Sequence, residues 1–201
     1  AAAEAAGAEA ILLGIAADTM PALDAALDTA EAQRIDLLVT IGGASVGEHD
    51  LVQAALVRRG MDLGFWRIAM RPGKPLMFGT LPGMTMIGLP GNPVSSLVCS
   101  LIFVQPLIRA MLGDPAAGSD LAVAAIAGSD LAANDERQEY MRARITGWRD
   151  GLPVATPAPR QDSSMLSTLA DADALLIRPP HAPALAAGAP CTIIPLDRLD
   201  G

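Results

Sequence analysis

Cysteine and lysine are the scarce residues of this 201-residue chain, and each scarcity excludes something. Cys99 and Cys191, the two cysteines, lie far apart and in no metal-ligand spacing, so neither a disulfide framework nor a zinc site is signalled. A reducing, cytoplasmic compartment is expected. Lysine occurs once, at Lys74, and every other basic residue is arginine. A generic positive charge is therefore written Arg here, and the single lysine marks a position of interest. Basic residues as a class are outnumbered, 14 against 22 acids, for a net charge of −8 and a pI near 4.6. That sign is wrong for gripping a phosphate backbone, and no nucleic-acid partner is expected. Uninterrupted apolar runs are also missing. Residues 94–108 are broken by Ser95, Ser96, Ser100, Gln105 and Pro106, short of the roughly 18 apolar residues of a span, so no membrane partner is expected. The opening AAAEAAGAEA has neither an initiator Met nor a targeting segment; it reads as the last turns of a helix stopped at Gly7, a start in mid-domain.

What is present is a chain that collapses: 51% hydrophobic and 18% charged, with a mass of 20.6 kDa that suits one large domain or two modest ones. Residues 8–15, with Ile11, Leu12, Leu13 and Ile15, read as a buried strand, and a helix follows from Pro21 to Arg34. Residues 35–41 read as a second buried strand running into Gly42 and Gly43. A helix over about 50–60 ends at Gly60. Such alternation predicts a mostly parallel sheet with helices on both faces, whose ligands sit beyond the carboxyl ends of the strands. Residues 62–70, 75–81 and 84–89 read as three short strands with a hairpin among them, punctuated by Pro72-Gly73 and Pro82-Gly83. Residues 94–112 form one long helix, apolar almost all round, with Cys99 in its core. Gly113, Asp114, Pro115 and Gly118 make a linker, which divides the chain into residues 1–115 and 116–201. Runs at 121–127, 140–145, 174–178 and 191–196 then predict a small β-barrel.

Three loops carry chemistry. In Ile41-Gly42-Gly43-Ala44-Ser45-Val46-Gly47-Glu48-His49-Asp50, a glycine-rich turn between strand and helix lets backbone N–H groups close on an anion; a plain tight turn is the alternative. The stretch also fits G-x-S-x-G, but His181 lies in the other predicted domain, which argues against a serine hydrolase. The second loop, Arg67-Ile68-Ala69-Met70-Arg71-Pro72-Gly73-Lys74-Pro75, holds three cations with no acid between them. In an extended strand Arg67 and Arg71 share a face, and the Pro-Gly turn brings Lys74 back toward them. A Walker loop fails, because Pro75 follows Lys74 and Ile68 stands where its first glycine belongs. The third, Pro90-Gly91-Asn92-Pro93-Val94-Ser95-Ser96, turns a strand end into the long helix, with Ser95 in its first turn. His49 and His181 sit in no ligand spacing and read as ordinary polar residues, and Trp66 and Met70 read as packing.

TIGGASVGEHD, RPGKP and GLPGNPVSS, in this order and spacing, resemble the molybdopterin molybdenumtransferase (MoeA) family, whose eukaryotic relatives include gephyrin. LLGIAADTMPAL, EYMRARI, RQDSSMLSTLADADAL and GAPCTIIPL extend the resemblance through the chain. It implies a three-layer αβα, MogA-like domain followed by a small β-barrel, and an enzyme that takes adenylylated molybdopterin and molybdate and, with Mg²⁺, releases AMP and the molybdenum cofactor.

Residue by residue, the resemblance places functional acids and metal ligands at Asp18 and Asp50, and functional cations at Arg67 and Arg71. It places a molybdate cluster at Arg71, Lys74, Pro75, Ser95, Arg142 and Ser163. Gly42, Gly43, Ser45, Gly47, Glu48, Gly73, Pro90, Gly91, Asn92 and Pro93 would line the substrate cleft. Arg67 and Arg71 stand where the family usually has lysine, and Asp162 replaces a glycine commonly found before Ser163. The family's first strand, with its Thr-Gly-Asp-Glu loop, and two preceding domains are not in this chain, so the fragment is expected to be inactive alone. A homodimer, and contact with other cofactor-synthesis enzymes, are further implications. The alternatives are a molybdopterin adenylyltransferase, which shares the α/β domain without a barrel tail, and a gephyrin-like scaffold binding a peptide.

Overall fold

The computed structural model describes residues 1–42, 51–162 and 164–196. Helix α1 (Ala2–Ala5) stops before Gly7, whose φ of +93° few side chains tolerate. Helix α2 (Met20–Ala32) starts on a cap in which Thr19 Oγ1 accepts the Ala22 N–H, with Pro21 in its first turn. Strand β1 (Leu37–Ile41), helix α3 (Leu51–Arg58) and strands β2 (Asp62–Trp66), β3 (Met70–Arg71), β4 (Met77–Leu81) and β5 (Met84–Leu89) follow.

The first sheet is four-stranded in the order β1-β5-β4-β2. β1 is parallel to β5, while β4 is antiparallel to both of its neighbours, β5 and β2. Three of the strands thus share one direction and β4 alone is reversed, so the sheet expected to be mostly parallel is mixed. The hairpin turn at Pro82-Gly83, with Gly83 at φ +78°, is the cause: it sends β5 back directly beside β4.

Two apolar cores sandwich this sheet. Leu27 and Ala30 of α2 and Ala55 and Leu56 of α3 pack on Leu38, Met77 and Met86. On the other face, Leu37, Val39, Ile87 and Leu89 meet the long helix, completing three layers. That helix runs as α4 (Pro93–Cys99), a π-helical stretch (Ser100–Val104) and α5 (Gln105–Met111). Pro106 has no N–H to give the carbonyl of Ile102, and the helix widens just before it. Over its 19 residues, Pro93–Met111, it is long and apolar enough by those measures to cross a membrane, contrary to the expectation from the interrupted run. Half of it is buried inside the protein. Val94, Val98, Cys99, Val104 and Ile108 make it a core helix.

Residues 8–17, expected to start with a strand, form none. Ala8 packs on one core and Leu13 on the other, but Leu12 is 93% exposed and Ile15 fully so. A strand needs a neighbour for its N–H and C=O groups, and among the described residues β1 pairs only with β5. The expected strand over 62–70 also breaks, because Arg67 takes φ +83° and ends β2. Arg67 and Arg71 therefore do not share one extended strand.

The second unit is a closed five-stranded barrel of β6 (Val123–Ala127), β7 (Gln138–Arg149), β8 (Leu152–Pro157), β9 (Ala174–Arg178) and β10 (Pro190–Pro195), with helix α6 (Leu166–Ala170) before β9. The order is β7-β8-β6-β10-β9 and back to β7. Its interior is narrow, and alanines at 125, 143, 155 and 174 fill it with Leu176 and Ile193. β8 had no counterpart in the sequence expectations, since Pro153 and Pro157 hide it. The signal was Asp150-Gly151, both at positive φ, a two-residue turn joining Arg149 to Leu152.

The barrel is joined to the first unit twice. Tyr140, Leu175 and Ile194, on its outer wall, belong to the same core as α4 and the sheet. β3, although it follows β2 in sequence, leaves the first sheet and pairs in parallel with the start of β7, Met70 beside Gln138 and Arg71 beside Glu139. Gly73 seats this connection against the long helix: a Cβ there would lie 2.5 Å from Met70 Cε and 2.6 Å from Cys99 Sγ. Gly83 shares the positive φ but has nothing within 4 Å. Gly83→Ala is therefore expected to cost the strain alone, about 1 kcal/mol, and Gly73→Ala about 1–3 kcal/mol more. Urea unfolding of both variants checks this, and equal losses would contradict the seating.

Candidate functional site at the carboxyl edge of the first sheet

Strand directions decide which loops meet. β1, β2 and β5 point the same way, so Gly42 after β1, the run after Trp66 and residues 90–92 all leave one edge. β4 begins at that edge, which returns the RPGKP loop to it. A short connection from Ala32 to Leu37 turns α2 back along β1 and sets Asp18, exposed just before the helix, at the same edge. The topology thus brings to one edge Asp18, Gly42, the RPGKP loop and the turn at residues 90–95. Gly43, Ser45, Gly47, Glu48 and Asp50 of the glycine loop, and Ser163 of the barrel, lie outside the described residues.

Gly42 N–H donates to the Leu89 carbonyl at 3.0 Å, and a Cβ on Gly91 would come within 3.4 Å of Gly42 Cα. The first and third loops therefore start backbone against backbone, an approach that glycine permits. In the third loop, Pro90 is buried, Gly91 and Pro93 are exposed, and the Asn92 side chain caps α4 by accepting the Val94 N–H at 3.2 Å. The two serines divide the labour. Ser96 donates to the carbonyls of Pro90 and Asn92 and ties the turn. Ser95 is 6% exposed, and its hydroxyl has no partner among the described residues.

The second loop folds on itself, with Arg67 N–H donating to the Leu76 carbonyl and Ile68 N–H to the Lys74 carbonyl. The Arg67 guanidinium lies 4.3 Å from the Trp66 ring centre, a cation–π stack. Gly73 is buried and Pro75 half-buried. Lys74 is exposed and pairs with no carboxylate among the described residues. Arg71 differs: its Nε lies 3.0 Å from Glu139 Oε1 and its Nη2 3.5 Å from Asp135 Oδ2. Both acids belong to the barrel's side of the junction, and the sequence reading missed them, since their partner lies more than sixty residues earlier.

Arg142, in β7, is 1% exposed. Burial pushes its guanidinium below the usual arginine range, with Asp162 and Glu139 opposing that shift. Gln161 holds it: Oε1 accepts from both N and Nε of Arg142, and Nε2 donates to the carbonyls of Arg142 and Ala158. Nη1 donates to the Asp162 carbonyl at 3.0 Å. Gln161 is a third residue the sequence reading passed over, visible only once β7 and residues 158–162 are adjacent. Asp162, a departure from the family pattern, directs its carboxylate to Ser164, accepting from N and Oγ at 2.8 Å. Those bonds hold its carboxyl below the usual range. α6, next in the chain, packs on α4. Cys99 is inert core, its thiol pushed up to about 12 by burial.

A three-layer α/β unit with its loops at one sheet edge, fused to a small closed barrel, is an architecture shared with known proteins. The model described as "Probable molybdopterin binding domain" matches residues 1–110, and "MoeA C-terminal region (domain IV)" matches residues 124–196. The chain belongs to the MoeA family. It is 34% identical over 193 residues to a molybdopterin molybdenumtransferase of Haemophilus influenzae, covering 96% of this chain and 47% of that protein. With one of Bacillus subtilis it shares 33% identity over 174 residues, covering 87% and 40%. The crystal structure of a molybdopterin biosynthesis MoeA protein from Pyrococcus horikosii superposes with a TM-score of 0.72 at 25% identity, covering 94% of this chain and 44% of that one. The chain thus spans about half the length of these relatives.

Asp135 supplies a test at the junction. Hydrogen bonds from the Arg137 side chain and backbone hold its carboxyl down at about 2. A carboxyl depressed in the fold stabilises it above the unfolded value, about 3.9, and this contribution is lost as pH falls through the folded value. Wild type is therefore expected to lose stability between about pH 4 and pH 2 more steeply than Asp135→Asn. Identical slopes in acid-dependent urea titrations contradict the pairing.

Proposed function

We propose that this chain carries the molybdate-handling part of a molybdopterin molybdenumtransferase, which joins molybdate to adenylylated molybdopterin and releases AMP. The observation that carries this reading is a pair of uncommitted groups, the Lys74 ammonium and the Ser95 hydroxyl, on one sheet edge in an acidic protein. A tetrahedral dianion suits that pair, since the compact ammonium supplies charge and the hydroxyl a directed donor. Arg142, immobilised by Gln161, and Ser163 complete the pocket from the barrel side. Gly42, Gly43, Ser45, Gly47, Glu48 and the turn Pro90-Gly91-Asn92-Pro93 line the cleft for adenylylated molybdopterin, with Arg67 at its rim. Pro75 stiffens the loop beside Lys74.

Mg²⁺ fits the donor chemistry of the edge. Asp18 is an exposed carboxylate with no cation paired to it among the described residues, and Mg²⁺ takes one or two carboxylates with substrate phosphates and waters. Asp18, with Asp50, would hold the ion, which when bound supplies charge neutralisation at the phosphates. Activity in the cytoplasm as a homodimer, with other cofactor-synthesis enzymes at hand and the remaining parts of the longer relatives present, belongs to the same reading. The closed barrel favours it over a molybdopterin adenylyltransferase.

The test is a calorimetric molybdate titration of wild type, Lys74→Ala and Lys74→Arg with adenylylated molybdopterin present. Bonds to a charged group contribute roughly 1.5–3 kcal/mol, so Lys74→Ala is expected to weaken molybdate by about one to two powers of ten. Lys74→Arg is expected to be impaired too, because a planar guanidinium replaces a compact ammonium. Equal affinities for all three remove Lys74 from the site.

A further inference from the structure

Arg71, three residues before Lys74, faces carboxylates. Glu139 Oε1 lies 3.0 Å from its Nε, and Asp135 Oδ2 and Asn134 Oδ1 lie 3.5 and 3.4 Å from its Nη2. The acids are not loose surface charges: Glu139 is 15% and Asp135 32% exposed, and Asp135 is braced by Arg137 at 2.6 Å. Asn134 is anchored in turn, its Nδ2 within reach of the carbonyls of Arg137, Arg178 and Pro179. The backbone follows the same path, with Arg71 and Glu139 in register and Gln138 N–H donating to the Ala69 carbonyl at 2.9 Å.

Resting on the molybdate reading above, we propose that Arg71 is a positioning residue and not an anion ligand. It latches the RPGKP loop to the first residues of β7 through Glu139, Asp135 and Asn134. An oxyanion placed on Arg71 would meet two carboxylates already there, a like-charge arrangement that opposes binding. The latch instead sets a register. Lys74 follows Arg71 by three residues and Arg142 follows Glu139 by three, so fixing Arg71 against Glu139 fixes the two cations of the pocket relative to each other, one from each domain. The second loop thus divides its cations: Arg67 stacks on Trp66, Arg71 locks to the barrel, and Lys74 remains to meet substrate.

Glu139→Gln discriminates the two roles by sign. It takes a competing negative charge from Arg71, so an anion-ligand Arg71 binds molybdate more tightly in the variant, whereas a latch is loosened and binding weakens. The expected result is a loss of at least about fivefold in molybdate affinity for Glu139→Gln and for Arg71→Gln, with the double variant no weaker than the poorer single one, as for residues acting as a unit. Tighter binding in Glu139→Gln, or fully additive losses, overturns the proposal. A second readout does not depend on molybdate. In a Trp148→Phe background Trp66 alone emits, and both single variants are expected to shift its emission in the same direction, with a non-zero coupling between Arg71 and Glu139 in urea unfolding. Zero coupling and an unmoved Trp66 also overturn the latch. Should wild type bind no molybdate, the proposed function fails while this second readout still decides the latch.

Discussion

The apolar seam between the long helix and the outer wall of the barrel is the constraint on which the other features depend. Val94, Val98 and Cys99 on one side meet Tyr140, Leu175 and Ile194 on the other, with Ile87 and Leu89 of the first sheet behind them. Burying residues of this size is the dominant favourable term in any fold. Here it does more than stabilise. Because both units close on the same helix, the edge where the first sheet's loops gather is held against the strand that carries Arg142. The short β3 pairing then converts an apolar contact, which has no direction, into a register. A barrel attached by the 112–122 connection alone would leave Lys74 and Arg142 unrelated.

Polar chemistry follows from where charge is already neutralised. The chain is acidic, yet its conspicuous cations are not equivalent. Arg109 pairs with Asp114, and Arg58 and Arg59 answer the acids of α2. Arg71 and Arg137 share Asp135, and Arg178 ties down the carbonyls of Ala132 and Pro183. Arginine here serves as a planar, multi-donor strut, the use its fork suits. The one lysine is the exposed cation of the RPGKP loop that no described carboxylate answers. Composition and structure therefore single out the same residue by independent routes.

Much of this was legible in the sequence, and the misses have physical causes. Pro21 and the periodic apolar face behind it mark α2, and the strand running into Gly42-Gly43 marks β1; both stand where expected. The turns that follow β1 and β5 start side by side, Gly42 N–H on the Leu89 carbonyl, because those two strands run parallel as the alternation of strand and helix implies. Residues 8–17 misled because an apolar run shows what wants burial and not whether a neighbouring strand is there to pair with it. Arg67 misled because a left-handed arginine cannot be foreseen from a stretch of alternating apolar residues. β8 was hidden by its prolines although its Asp-Gly turn was in plain view. In the site, Lys74 and Ser95 could be found from their loops. Gln161, Asp135 and Glu139 could not, since each acts on a residue distant in sequence and acquires meaning only through β7. Asp162, which stands where the family commonly has glycine, engages its carboxylate in a local turn with Ser164.

The central claim, that one anion pocket lies between the carboxyl edge of the first sheet and strand β7, is tested most directly by where the anion sits. A crystal grown with molybdate and measured at the molybdenum absorption edge locates the metal by its anomalous signal, free of assumptions about the surrounding protein. The account places that peak within hydrogen-bond reach of Lys74 Nζ and Ser95 Oγ through the bound oxygens, with Arg71 still on Glu139. A peak on Arg71 with Glu139 displaced, or one remote from the sheet edge, would contradict it.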